Sequence, residues 1–191
     1  MRANDGAVDC KGRFWISATC DPEVTPFAPQ GMQRSRLPNR LVCCAYYLAA
    51  ILFRLDSDGS FHHMEEGMTI PNGMSWSLDN KFMFLADTKD RAIYKYDFDA
   101  ETGSISNKRM FYQTEEGTGP DGHAQDVHGN IWTAVWGAWK VRRISPEGKV
   151  TAEIKLPTRC ITVSSSAVPT QAVCTQEAVH LLTMEISLQR L

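Results

Sequence analysis

One phrase recurs three times in this chain, and no other feature limits its fold so strongly. Its clearest copy is Pro71-Asn72-Gly73-Met74-Ser75-Trp76-Ser77-Leu78-Asp79, followed by an apolar run from Phe82 to Ala86. It returns as Pro120-Asp121-Gly122-His123-Ala124-Gln125-Asp126, followed by Gly129-Asn130-Ile131-Trp132-Thr133-Ala134. An earlier copy reads Asn4-Asp5-Gly6-Ala7-Val8-Asp9, then Gly12-Arg13-Phe14-Trp15-Ile16. Each copy is an acid or amide before glycine, a short strand, a polar turn and a second strand. The glycines stand 67 and 49 residues apart, and propeller blades repeat at roughly 40–50 residues. A propeller gathers equivalent positions around its axis, so Asn72 and Asp121 are expected to converge although they are distant in sequence.

The segments between the copies read as hairpins. Leu52-Phe53-Arg54-Leu55 alternates, turns at Asp56-Ser57-Asp58-Gly59 and returns through Phe61-His62-His63-Met64. Ile93 to Asp99 alternates, turns at Glu101-Thr102-Gly103 and returns from Ile105 to Phe111. Val141 to Ile144 turns at Ser145-Pro146-Glu147-Gly148 and returns from Val150 to Leu156. Two hairpins per repeat make a four-stranded antiparallel blade. The expected fold is therefore all-β, a partial propeller of such blades.

Two segments break the rhythm. Residues 32–51 fit no blade and read as an insertion, with helical character expected over 41–53, where Leu, Ala and Ile are frequent. Thirteen residues are too few to span a bilayer. Residues 161–191 are rich in Ser, Thr, Val and Gln and carry no turn signals, so they read as an atypical tail to a domain ending at 160.

Composition narrows the function. The net charge of −2, with no basic block, argues against nucleic-acid binding by bulk electrostatics. No apolar leader or membrane span is visible, which leads to the expectation of a cytoplasmic protein. The six cysteines, at 10, 20, 43, 44, 160 and 174, form no C-x-x-C pair and read as reduced thiols. His62 and His63 fall on opposite faces of one strand and cannot easily share an ion. His123 follows Asp121-Gly122 and stands near the mouth, where it reads as a packing histidine. The five tryptophans are expected in blade cores. Asp87, in Ala86-Asp87-Thr88, is expected to bond backbone in an inter-strand turn.

In this order and spacing, the segments Arg2–Gly6, Ile70–Ser77, Ala86–Thr88, Pro120–Gly122 and Gly129–Ala134 resemble the regucalcin/gluconolactonase/luciferin-regenerating-enzyme family over residues 2–31 and 52–160. The resemblance implies a six-bladed β-propeller holding one divalent cation, Ca²⁺, Zn²⁺, Mn²⁺ or Mg²⁺, at the mouth of its channel. It implies hydrolysis of sugar lactones. Asn72 and Asp121 would be metal ligands, Asp121 also the base that deprotonates the attacking water, and Arg2 and Asn4 the contacts to substrate hydroxyls. The family supplies a further Glu from a blade for which no counterpart precedes residue 1. The cation is accordingly expected to bind weakly, and turnover to be impaired. The alternatives are a non-catalytic calcium-binding or interaction propeller, and a chain that does not fold stably.

Overall fold

A computed structural model describes residues 2–19 and 50–162, together with the backbone of a short strand at 189–190. Every regular element among the described residues is a strand. The first sheet consists of β1 (Arg2–Val8), β2 (Phe14–Thr19), β3 (Ala50–Leu55) and β4 (Phe61–Met68). The second holds β5 (Pro71–Trp76), β6 (Phe82–Asp87), β7 (Ala92–Asp99) and β8 (Ser104–Gln113). The third holds β9 (Gly119–Gln125), β10 (Ile131–Trp136), β11 (Lys140–Ile144) and β12 (Val150–Lys155), with β13 (Gln189–Arg190) paired to β12. Each sheet is an antiparallel meander in sequence order, as the paired-hairpin reading requires.

The helical expectation for 41–53 fails at its end. Ala50 to Phe53 lie in β3, paired to both β2 and β4. Alternation decides this: Ala50 and Leu52 are buried while Ile51 and Phe53 are only partly so, a period of two. The rest of 32–51, and the tail beyond 162 apart from the backbone of β13, lie outside the described residues.

The blades pack face to face. Trp15, Leu52 and Met68 of the first sheet meet Met74, Met83, Leu85, Tyr96 and Phe98 of the second in one core. Phe84, Ala86, Ile93 and Tyr112 meet Ile131 and Ile144 of the third sheet in another. The inner strands of the second and third sheets come close together at Gly73. A β-carbon there would stand 2.6 Å from both the Asp121 carbonyl oxygen and the His123 amide nitrogen. That position is glycine because the neighbouring backbone occupies the space.

A carboxylate hub holds the first hairpin of two blades. Asp9 accepts the amides of Lys11 and Arg13, the Arg13 Nε at 2.7 Å and the Trp15 indole at 2.9 Å. Asp126 repeats the pattern with His128, Asn130 and Trp132, and adds Arg143 of β11 at 3.2 Å. Ser77 takes the same place in the second blade, accepting from the Lys81 and Phe82 amides. The residue three further on has positive φ in each case: Gly12 at 80°, Asn80 at 55° and Gly129 at 79°. Glycine and asparagine adopt that conformation at least cost.

Candidate functional site

All three inner strands carry a bulge at the same point. Between Ala3 and Gly6, between Pro71 and Met74, and between Pro120 and His123, three steps of the inner strand oppose two of its partner. Bulges re-aim side chains and recur beside functional sites. The first bulged residue is Asn4 in β1, Asn72 in β5 and Asp121 in β9. The structure thus shifts the sequence alignment of the first copy by one residue: Asp5, not Gly6, stands where Gly73 and Gly122 stand. The reason is local. The bulge, rather than the glycine, sets the register.

Arg2, Asn4, Asn72 and Asp121 all line one cavity of about 670 Å³ at one end of the blades. The side chains of Arg2, Asn4 and Asn72 are linked by hydrogen bonds. Arg2 Nη1 donates to Asn4 Oδ1 at 2.8 Å. Asn4 Nδ2 donates to Asn72 Oδ1 at 2.8 Å and to the Pro71 carbonyl at 2.9 Å. Asn72 Nδ2 donates to Thr88 Oγ1 at 2.7 Å, and Thr88 Oγ1 to the Pro120 carbonyl at 2.8 Å. The amides of two blades and the backbone of the third are therefore fixed relative to one another.

Asp121 is held differently. One oxygen accepts the Gly122 amide at 3.0 Å, and no ion pair to Asp121 occurs among the described residues. Burial pushes its carboxyl up to about 7, the Gly122 bond opposes this, and the charge of Asp5 adds to the rise. Asp5, on the same cavity wall, is raised too: burial outweighs its bond from the Gly6 amide. Two carboxylates thus face one cavity, and neither is ion-paired among the described residues. Buried charge without a partner is costly, and a bound cation relieves that cost. The oxygen donors fit a hard divalent ion: the carboxylates of Asp121 and Asp5, and Asn72 Oδ1 through its second lone pair. Among the described residues, no group of three or more His, Cys, Asp or Glu gathers at one point.

His123 is a packing residue. Its Nε2 meets Ser75 Oγ at 3.0 Å, its Nδ1 has no hydrogen-bond partner, and burial lowers the ring to about 3. It is neutral at physiological pH. Asp87 caps the turn as expected, accepting the amides of Thr69, Ile70 and Lys89. The expectation of core tryptophans holds for Trp15, packed edge-on to Trp76. It fails for Trp136 and Trp139, which are 42% and 50% exposed. Both stand at the β10–β11 turn, at the end of the strand rather than in its middle, and Trp136 lines the cavity. Sequence reasoning missed Asp5, Thr88, Lys89 and Arg91 as lining residues. Their signal was position: the start of an inner strand, and the turn between a blade's second and third strands.

Consecutive four-stranded antiparallel blades, with polar side chains gathered where the inner strands begin, define a partial β-propeller with a site at one end. The chain belongs to the SMP-30/gluconolactonase/LRE-like family, whose sequence profile it matches over residues 1–166. It is 34% identical to the regucalcin of Xenopus laevis over 158 residues, 82% of this chain and 47% of that one. It is 37% identical to the pentonolactonase XacC of Haloferax volcanii over 112 residues, 58% of this chain and 38% of that one. Among solved structures it superposes on a calcium-binding protein, the regucalcin of Agrobacterium tumefaciens, with a TM-score of 0.67 and 24% identity, covering 84% of this chain and 48% of that one. The chain spans about half the length of the curated relatives it matches.

Proposed function

We propose that this cavity hydrolyses a sugar lactone with the help of one divalent cation. The observation that carries the reading is the buried Asp121 carboxylate, set in the same bulge slot as Asn4 and Asn72 and without an ion-pair partner among the described residues. Asp121, Asn72 and Asp5 would hold the cation. When bound, such an ion polarises the lactone carbonyl and acidifies water.

The chain's own residues do the rest. Arg2 and Asn4 present donors to the ring hydroxyls and fix the lactone's orientation. Asp121 takes a proton from the water as its oxygen bonds to the carbonyl carbon. The acyl–oxygen bond of the ring then breaks, and Asp121 returns the proton to the departing ring oxygen. The product is the open-chain sugar acid.

A proton-release assay on an aldonolactone, with and without added Ca²⁺, Mn²⁺ or Zn²⁺, tests this. Asp121→Asn is expected to lower kcat by about 10²-fold or more, the usual contribution of a general base. Cation binding with no cation-dependent turnover would instead make the cavity a binding site alone. Turnover that survives Asp121→Asn would place the chemistry elsewhere.

A further inference from the structure

The turn between β6 and β7 presents two cations to the cavity that the scheme above leaves unused. Lys89 and Arg91 both line it, on a segment fixed by Asp87 beneath and by a backbone bond from the Arg91 amide to the Thr88 carbonyl at 3.2 Å. Five other arginines among the described residues are ion-paired. Arg13 closes on Asp9, Arg54 on Asp56, Arg109 on Asp97, Arg142 on Glu115 and Glu153, and Arg143 on Asp126. Lys89 and Arg91 make no ion pair or side-chain hydrogen bond among the described residues, although Asp90 stands between them. Asp90 is engaged within its own hairpin, accepting the Tyr94 hydroxyl at 2.9 Å. Trp136 lines the same cavity with a partly exposed indole. The lining carries three cations, Arg2, Lys89 and Arg91, against two carboxylates, Asp5 and Asp121. Its sign is opposite to the chain's net charge of −2. A volume of about 670 Å³ is in the ordinary range for a small-molecule site.

We propose that the ligand of this cavity carries an anionic group, a carboxylate or a phosphate monoester, remote from its reacting end, and that Lys89 and Arg91 bind that group while Trp136 covers the apolar face of the sugar. The identification of the rest of the ligand as a lactone rests on the function proposed above; the anion subsite does not. Guanidinium and ammonium groups held on a turn are suited to such oxyanions, the guanidinium in a bidentate fork. An indole face complements the C–H face of a sugar.

Calorimetric binding to the full chain tests the subsite without requiring catalysis. The probes are D-glucitol, D-gluconate and D-glucitol 6-phosphate, at low and high salt. The expected result is that at least one charged probe binds tenfold or more tighter than D-glucitol, and that the gap narrows with salt. The tighter charged probe identifies the group. In Lys89→Gln/Arg91→Gln the affinity ratio of that probe to D-glucitol falls towards one, and Lys89→Arg retains it. Equal binding of all three probes, no binding of any, or a ratio unchanged in the double variant overturns the proposal. A charged-probe preference in a chain that hydrolyses no lactone would refute the lactone reading and leave the subsite standing. Hydrolysis of a neutral lactone without any charged preference would do the reverse.

Discussion

Asp121 is a carboxylate that folding moves out of water without an ion-pair partner among the described residues. Its ordinary value is 3.8, and in the folded chain it is raised to about 7, by burial first and then by the charge of Asp5. The linkage has a definite sign. Below its unfolded value both states hold the proton and Asp121 costs nothing. Between the two values the folded state binds the proton more tightly, so stability is lost as pH rises through about 7. In the presence of a chelator, the melting temperature of Asp121→Asn is therefore expected to exceed that of the parent at pH 8, and the gap to shrink at pH 5. Thermal melts at the two pH values decide it, and a gap independent of pH would contradict the burial argument. Adding Ca²⁺ at pH 8 should raise the parent's melting temperature and leave that of Asp121→Asn unmoved, because an ion that binds only the folded state stabilises it by mass action. Gly73 is the second residue on which the site depends. Gly73→Ala places a methyl 2.6 Å from the backbone of β9. It should cost about 1–3 kcal/mol in urea unfolding, the range for overpacking, and should weaken cation binding by spreading Asn72 from Asp121.

At the scale of the element, the blade is a repeated hairpin pinned by one side chain. Burial alone would lift Asp126, but bonds from Asn130, Trp132 and His128 outweigh it and hold the carboxyl well below the usual carboxylate range. Asp9 is lowered for the same reason, with Trp15 and Arg13 opposing its burial. Asp9→Ala leaves the buried Arg13 guanidinium and the Trp15 indole without their shared acceptor, and should cost about 3–5 kcal/mol, as for a broken buried ion pair. Denaturant titration measures this. A cost below about 1 kcal/mol would mean that the pair behaves like an exposed one. The repeat made the strands legible in advance, because alternation and Asp-Gly turns are local signals read within a few residues. The convergence of Asn72 and Asp121 on one cavity was legible for the same reason, since equivalent slots of a propeller meet. What stayed hidden depends on three dimensions. The one-residue shift that puts Asn4 beside Asn72 comes from a bulge with no residue signature of its own. Trp136 and Trp15 occupy similar-looking strands, yet one ends at the mouth and the other lies in the core. Lys89 and Arg91 read as ordinary turn charges until the turn is seen to face the cavity.

At the scale of the whole molecule, the two faces of the first blade differ. One is covered by the second blade, through Trp15, Leu52 and Met68. The other exposes Val8 at 59%, Phe14 at 38%, Leu55 at 39% and Phe61 at 60%, with Phe61 stacked on Phe53 at a centroid distance of 4.7 Å. Scattered apolar residues on a surface need no explanation, but these lie on adjacent strands of one sheet and form a contiguous patch. In a propeller such a face receives the next blade, so the side chains are of the kind that pack rather than the kind that hydrate. The same apolar area that drives a core together drives association when it meets a like surface, at roughly 25 cal/mol per Å² removed from water. The described chain is therefore expected to self-associate as its concentration rises, with sedimentation equilibrium showing a mass above 21.4 kDa at micromolar levels. Phe14→Ser/Phe61→Ser should shift that equilibrium towards the monomer by tenfold or more, because both side chains project from the patch and neither belongs to the described core clusters. Unchanged association in the double variant would mean that another surface joins the copies. A monomer at all concentrations would mean that the patch is covered within the chain itself.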